Sequence, residues 1–448
     1  METTVGLRSR SFTGGIHPPE RKGATEQKPI EDLPLPPYVV IPVQQHIGAP
    51  SKPIVEKGAQ VRVGDPVSEA SGYVSVPAHA SISGTVIAVE NRPHPLGPDL
   101  LSVVIERDGE DRWREDVVLS QNYLDLENRE MLDLIRAAGL AGLGGAAFPT
   151  HVKLSPPADK PIDTLLLNGA ECEPYLTSDH RLMVEEPDRI VLGMQVLVRL
   201  TGASTGVIGI EKNKTDAIAV LRKTVNTHGL PFRILSFNVK YPQGAEKQLI
   251  RAATGREVPS GGLPMDVGCV VQNVGTSAAV YDAVASRRPL IDRIVTVTGP
   301  GINEAKNLRV RIGTPYSFVF EGCGGLHDEI GKIIMGGPMM GVAQHSLDIP
   351  VIKGTSGIVV LERTDSRAAP EMPCISCARC VDVCPMRLMP KMLGQFVKHG
   401  LFDRAREYNA LDCIECGSCA YVCPAHINLV HLIRYGKSEV MRQNQKKS

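Results

Sequence analysis

The chain has 448 residues, 42% hydrophobic and 22% charged, a composition typical of folded globular domains and too apolar for a disordered chain. Lys plus Arg and Asp plus Glu both total 49, so charge gives no reason to expect nucleic acid or an anionic membrane, and 4% aromatics argue against a base-stacking surface. The longest strongly apolar stretch, residues 190–198, falls well short of the ~20 needed for a spanning helix. The N-terminal METTVGLRSRSFTGG lacks a secretory-type apolar core. These features predict a soluble, cytoplasmic chain with no transmembrane segment of its own and no nucleic-acid partner.

In chain order, residues 1–35 read as an extended arm rich in Pro and Gly. Residues 36–120 carry short β-branched runs at 38–41, 60–63, 66–67, 73–76, 84–89 and 101–106, broken by Gly, Pro and Asp, which predicts a small all-β module. Residues 121–288 alternate. Met131, Leu134, Ile135 and Ala138 form a helix face, and a strand at 163–167 precedes a helix at 187–200 with Pro187 in its first turn. A strand at 206–210, a helix at 215–224, a strand at 232–239 and a helix at 245–253 complete an α/β pattern with a mainly parallel sheet. Apolar runs at 294–297, 308–312, 332–335 and 358–361 predict a small α+β module over 289–362. Residues 363–448 form the last unit, with helical spacing at Met392, Leu393, Phe396 and Val397, and again at Ile427, Val430, Ile433 and Val440. The fold class is therefore multidomain, α+β and α/β.

Cysteine placement carries the most chemistry. Eight of the eleven fall after residue 373, in two copies of one pattern: Cys374, Cys377, Cys380 and Cys384 before Pro385, then Cys413, Cys416, Cys419 and Cys423 before Pro424. Three thiolates separated by two residues wrap a short loop around one face of a 4Fe–4S cubane, and the Cys before Pro ligates the other cluster in two-cluster ferredoxins. This assigns Cys374, Cys377, Cys380 and Cys423 to one cluster, and Cys413, Cys416, Cys419 and Cys384 to the other. Zinc sites pair two CxxC units, and disulfides need an oxidising compartment, so neither competes well. Cys172, Cys269 and Cys323 stand alone and read as buried thiols.

Gly142-Leu143-Gly144-Gly145-Ala146-Ala147-Phe148-Pro149 can be written GxGxxA, but it follows a helix where the dinucleotide fingerprint follows a strand. Its glycines still imply close backbone approach to a ligand, and Lys153 is a candidate cation for a phosphate. The alternative is a flexible turn beside a solvated lysine. The strand at 163–167 runs into Asn168-Gly169-Ala170-Glu171-Cys172-Glu173, where ligands of open α/β sheets bind. Asn168, Glu171 and Glu173 there suit nucleotide hydroxyls or, equally, helix capping.

GLGGAAFPTHVK followed by NGAECEP resembles the flavin- and NADH-binding subunit of respiratory complex I and NAD-linked hydrogenases. The resemblance implies that Gly142, Gly144, Gly145, Phe148 and Lys153 hold FMN or line the NADH site. Asn168, Glu171 and Glu173 would contact flavin and nicotinamide nucleotide. Tyr241, Gly244 and Glu246 match a second stretch of that family, and Asn273 with Thr276 a third, near the flavin phosphate. Leu143, Ala170, Ala245, Gln272 and Gly275 depart from its pattern. The string from Gly58 to Val86 resembles the barrel-sandwich of lipoyl and biotinyl carriers, yet no lysine lies between Lys57 and Lys153, so no swinging arm can be attached there.

The order of parts resembles the RnfC subunits of Rnf (Rsx) electron-transport complexes: an FTGGIHPPE arm at 12–20, a carrier-like barrel-sandwich, the α/β FMN/NADH domain, an SLBB-like module with GGPMMG at 336–341, and a helical ferredoxin module with two clusters. The resemblance implies two 4Fe–4S clusters, FMN, and NAD(H) as substrate. It implies other subunits of a membrane-bound Rnf-type complex as partners and ferredoxin indirectly, with the chain peripheral on the cytoplasmic face of the bacterial inner membrane. Hydride would pass directly between NADH and FMN, with no catalytic side chain, and single electrons would run reversibly through the clusters. Two other readings remain. Cobalamin reductases of propanediol utilisation share the flavin and cluster modules but carry the β module after the flavin domain. A non-catalytic electron-transfer scaffold is the third. For docking, the arm and the β module are better placed than the Lys446-Lys447 tail.

Overall fold

The computed structural model describes residues 11–365 and 369–445; the first ten residues and the Lys446-Lys447 tail lie outside the described residues. The β module is an antiparallel sheet in the order Tyr38–Pro42, Leu100–Arg107, Gly84–Arg92, Gln60–Val61, with a separate ribbon of Lys52–Pro53 and Ser68–Glu69. Val39, Ile41, Ile82, Val86, Val103 and Ile105 are fully buried at its centre, each contributing roughly 1.5–3 kcal/mol of apolar burial. One strand expectation fails here. Residues 73–76 form no ladder, because Ala49 N–H donates to the Val74 carbonyl, Val76 N–H to His46 Nε2, and Ser71 N–H to Ser75 Oγ. These loop and side-chain partners satisfy the backbone in place of a neighbouring strand. The pairing expected at 66–67 is a single antiparallel bridge between Pro66 and His79, with Val67 N–H donating to the Ala78 carbonyl, and the ribbon strand follows at Ser68–Glu69.

The α/β expectation holds. Arg233–Phe237, Thr205–Glu211, Thr164–Gly169 and Cys269–Asn273 form one parallel sheet in that order, with Leu165 opposite Val270 in one neighbour and Leu166 opposite Val207 in the other. Helices Pro187–Thr201 and Val274–Ser286 pack so closely that a Cβ on Gly193 would stand 1.9 Å from the Ser277 carbonyl oxygen. Two helices carry no readable apolar stripe. Ser178–Glu185 buries His180 and Arg181, and Val274–Ser286 is buried nearly all round, so periodicity marks neither.

The next module is a six-stranded mixed sheet in the order Ile30–Asp32, Lys306–Arg311, Asp292–Thr298, Gly357–Glu362, Ile330–Met335, Val342–Gln344. The arm therefore supplies an edge strand, parallel to Lys306–Arg311, and is not merely extended. Buried Thr25, Thr177, Thr296 and Asn307 hydrogen-bond to one another at 2.7–2.9 Å, joining the arm, the α/β domain and this sheet.

The last module packs helices Pro390–Lys398, Phe402–Glu407 and Leu429–Gln445 around Leu393, Val397, Ala405, Ala410 and Ile433. Its repeat is written into the backbone. Ser376, Ala378 and Arg387 have left-handed φ of 58°, 61° and 54°, and Glu415, Gly417 and His426, at the same offset as the cysteines, have 57°, 77° and 53°. Left-handed turns at non-glycine residues are costly, so their repetition marks a loop shaped around a ligand set.

Candidate flavin and iron–sulfur site

The glycine loop lies where the carboxyl ends of the parallel strands meet the N-terminus of Val274–Ser286. Leu143 N–H donates to Thr276 Oγ1 at 2.9 Å, and the fully buried Arg293 guanidinium donates to the Leu143 carbonyl at 3.1 Å, so the loop is held from behind. Asn273 caps that helix through Gly275 N–H, and its amide donates to Asp179 at 2.6 Å. Asp179 is half-buried beside Glu171, and desolvation first, then that charge, pushes its carboxyl up. The tip is open. Gly144, Gly145 and Ala146 are exposed in a turn, and Gly145 has φ +101°. Exposed backbone amides of a glycine turn near a helix N-terminus fit the phosphate of FMN. Phe148 closes the loop behind them by accepting from Gly142 N–H at 2.8 Å.

Lys153 stands at the end of the short helix Thr150–Lys153 and donates to Glu246 at 2.6 Å and to the Val271 carbonyl at 3.0 Å. Two residues assigned separately to the nucleotide pocket are thus brought together as a half-exposed ion pair. Asn168 bridges two segments, its amide donating to the Gly244 carbonyl at 2.8 Å and its oxygen accepting from Ala170 N–H. Glu171, at φ +45°, accepts from the N–H groups of Asp179 and His180, so it caps helix Ser178–Glu185. Glu173 is different. Half-buried and accepting from Met339 N–H, Met340 N–H and the Tyr241 hydroxyl, its carboxyl is pushed up to about 7, mainly by desolvation.

Tyr241 links this end of the sheet to the second cysteine motif. Its hydroxyl also donates to the Cys416 carbonyl at 2.8 Å, and the ring packs with Ile16 and Cys416. Cys384, Cys413, Cys416 and Cys419 line one partly open pocket together with Met386, Leu388, Ile414 and Ile433. Burial raises the Cys413 thiol to about 11 and the Cys419 thiol further, and each of the two is raised again by the charges of Cys416 and Cys384. Cys380, by contrast, is raised by burial and then by Cys423 and Cys374. Cys384 of the first motif thus lies beside Cys413, Cys416 and Cys419 of the second, although among the described residues no three such side chains stand close enough together to hold a single metal ion.

Sequence reading missed the buried cations that hold the glycine loop and the strand end. Arg293 is one. Lys22 of the arm donates to the Glu171 and Leu176 carbonyls at 2.8 and 2.5 Å, and Lys214 to the Ala170 carbonyl at 2.7 Å, clamping the acidic strand-end loop. Each is an ordinary polar residue in its local string, and only the fold encloses it.

An FMN-type glycine loop joined through Tyr241 to paired iron–sulfur motifs defines a redox protein combining a flavin-binding domain with a dicluster domain. Family models agree: a RnfC barrel sandwich hybrid domain matches residues 10–110, a Nuo51 FMN-binding domain 135–282, an SLBB domain 294–343, and a 4Fe-4S dicluster domain 373–427. The chain is 50% identical over 431 residues to the RnfC-type subunit of the proton-translocating ferredoxin:NAD+ oxidoreductase complex of Clostridium ljungdahlii, covering 96% of this chain and 94% of that one. It is 48% identical over 442 residues to the counterpart from the Na+-translocating complex of Acetobacterium woodii, covering 99% and 100%. A NAD+-reducing NiFe-hydrogenase crystal structure superposes with a TM-score of 0.50 at 19% identity, covering 71% of this chain and 62% of that chain, a likeness of fold alone. The chain belongs to the RnfC family, a subunit of the ion-translocating ferredoxin:NAD+ oxidoreductase, or Rnf, complexes.

Proposed function

We propose that this chain is the point at which NAD(H) exchanges hydride with FMN and from which single electrons pass through two clusters to other subunits. When bound, FMN and the clusters supply the change from two-electron to one-electron chemistry. The chain's own residues do the holding. The amides of Gly144 to Ala147 bind the phosphate, Lys153 and Glu246 frame the nucleotide, and Asn168 fixes the strand end against Gly244. Glu173, with its carboxyl near 7, supplies a hydrogen-bonding group that needs no full charge at neutral pH. Cys374, Cys377, Cys380 and Cys423 hold one cluster, and Cys384, Cys413, Cys416 and Cys419 the other.

The observation that carries this reading is Tyr241, whose hydroxyl touches both Glu173 of the nucleotide end and Cys416 of a cluster motif. Among the described residues no helix is long and apolar enough to cross a membrane. We place the chain on the cytoplasmic face through its partner subunits. The test is anaerobic addition of NADH to the purified chain, following flavin absorption and the reduced-cluster signal. Bleaching followed by the cluster signal supports the reading; iron and sulfide present with no flavin bound and no response to NADH refutes it.

A further inference from the structure

The β module has the shape of a carrier domain, yet no lysine lies between Lys57 and Lys153 to carry a group, so its place in the chain calls for another role. Two of its loops are joined to each other and to the segment that bears the glycine turn. Ala49 N–H donates to the Val74 carbonyl at 3.1 Å, and Val76 N–H to His46 Nε2 at 3.2 Å. Ile47 N–H donates to the Ala147 carbonyl at 3.1 Å. Gln45 Oε1 accepts from Lys353 N–H at 3.1 Å, and a Cβ on the adjacent Gly354 would lie 3.7 Å from the Gly145 carbonyl oxygen. The second loop is held as firmly: Arg136 donates to the Gly72 carbonyl at 3.1 Å, and His151 Nε2 to the Tyr73 carbonyl at 2.9 Å. With both carbonyls fixed, the Tyr73 ring meets the His151 ring edge-on, centroids 5.8 Å apart and planes at 85°, while the residue stays 58% exposed. An aromatic side chain of the β module thus borders residues 147–153, which carry the end of the glycine turn and Lys153.

The other groups assigned to the nucleotide, Lys153, Glu246, Asn168 and Glu173, are polar and suit phosphates, hydroxyls and an amide. Adenine differs from these: it is uncharged, flat on both faces, and held chiefly by stacking on an aromatic ring. We propose that the β module forms the outer wall of the NAD(H) pocket and that the adenine ring rests on the Tyr73 side chain. A tyrosine is a rigid contact that loses little conformational freedom on binding, and its backbone here is already pinned. The nicotinamide half reacts with the flavin and needs no contact with this wall. Tyr73 therefore sets affinity for the adenosine half and leaves hydride transfer alone. This inference rests on the proposed exchange of hydride between NAD(H) and FMN in this chain.

The experiment uses the full chain loaded with FMN and clusters. Calorimetry measures binding of ADP-ribose, which keeps the adenine and lacks the nicotinamide. Steady-state assays with an artificial electron acceptor compare NADH with reduced nicotinamide mononucleotide, a donor that lacks the adenosine half. Tyr73→Ala is expected to weaken ADP-ribose binding and raise the KM for NADH, each about tenfold, at unchanged kcat, with Tyr73→Phe restoring most of the loss. The KM for the mononucleotide stays as in the parent chain. Val118→Ala and Leu119→Ala are the controls: both positions are exposed, and the adjacent Ser120 N–H bonds to the Ala285 carbonyl, near the end of helix Val274–Ser286 away from the glycine turn. FMN content checks that each variant stays loaded. Equal ADP-ribose affinity in Tyr73→Ala and the parent overturns the proposal. So does a parent that oxidises NADH without binding ADP-ribose, or an equal rise in KM for both donors, which would tie Tyr73 to the shape of the glycine loop and not to adenine. A parent chain whose flavin does not respond to NADH refutes the proposed electron entry instead, so the two failures are told apart.

Discussion

Gly14 offers the sharpest test of how the modules are joined. It sits at φ +76°, and a Cβ there would lie 2.8 Å from the Cys384 carbonyl oxygen, 2.9 Å from its carbon and 3.0 Å from the Val383 carbonyl oxygen. All three atoms are backbone, so no side chain can swing aside. In Gly14→Ala the left-handed conformation costs roughly 1–2 kcal/mol. Overpacking against an immobile backbone costs roughly 1–3 kcal/mol more. The sum, about 2–5 kcal/mol, falls on the contact in which Gly15 N–H donates to Val383 and Ile16 pairs with Tyr241, while the large cores lie elsewhere. The arm should therefore open locally while the melting temperature barely moves. At about 1.36 kcal/mol per factor of ten, hydrogen exchange over residues 15–22 should accelerate by roughly 30-fold or more. Gly23→Ala is the matched control, because the nearest atom to a Cβ there is the Glu26 carboxylate at 4.0 Å. Equal exchange in Gly14→Ala, Gly23→Ala and the parent chain would refute the junction described here.

Other expectations follow from the same geometry. If the donor sets cross between motifs, Cys384→Ser combined with Cys416→Ser loses no more iron than either alone, whereas Cys384→Ser combined with Cys377→Ser strips both clusters; the reverse pattern contradicts the assignment. Lys153→Met breaks a half-exposed pair and should change stability by less than about 1 kcal/mol. The loss of a charged hydrogen bond should still lower FMN affinity roughly ten- to hundredfold, with Lys153→Arg recovering part of it, and unchanged affinity by fluorescence titration removes Lys153 from the site. Lys353 is fully buried, its ammonium donates to the Pro77 and Gly139 carbonyls, and burial lowers it from 10.5 to about 7. Between those values the unfolded chain binds the extra proton, so stability rises with pH across the window and is lost as pH falls towards 7. Urea melts at pH 7 and 9.5 should show the parent chain gaining about 3 kcal/mol relative to Lys353→Met, and a constant difference would count against a buried charge.

Much of the architecture was legible because it rests on local pattern. Alternating β-branched runs located Tyr38–Pro42 and Leu100–Arg107, and 3.6-residue periodicity located Pro187–Thr201 and Thr215–Thr227. The pattern fails where an element is buried on every side. Val274–Ser286 has no polar face to alternate with, and Ser178–Glu185 hides two polar side chains inward. Resemblance and residue chemistry together located the strand-end acids but could not divide their work. Glu171 caps a helix while Glu173, two residues on, hydrogen-bonds with Met339, Met340 and Tyr241, and the backbone turn at Glu171 sends the two side chains to different neighbours.

The cysteine repeat shows most clearly where sequence stops and fold begins. Spacing alone specifies two equal loops, and the matching left-handed turns repeat that equality in the backbone. Their inequality comes from Met339, Tyr241 and Ile16, each far upstream of the cysteines it covers and in a different module. One trace of it lies in the sequence itself: where the first motif has Ala378, the second has Gly417. Both positions are left-handed, so turn geometry alone does not explain the glycine. The Met339 carbonyl does, because it occupies the space a methyl would need. The exchange of alanine for glycine thus records which loop the GGPMMG stretch presses against.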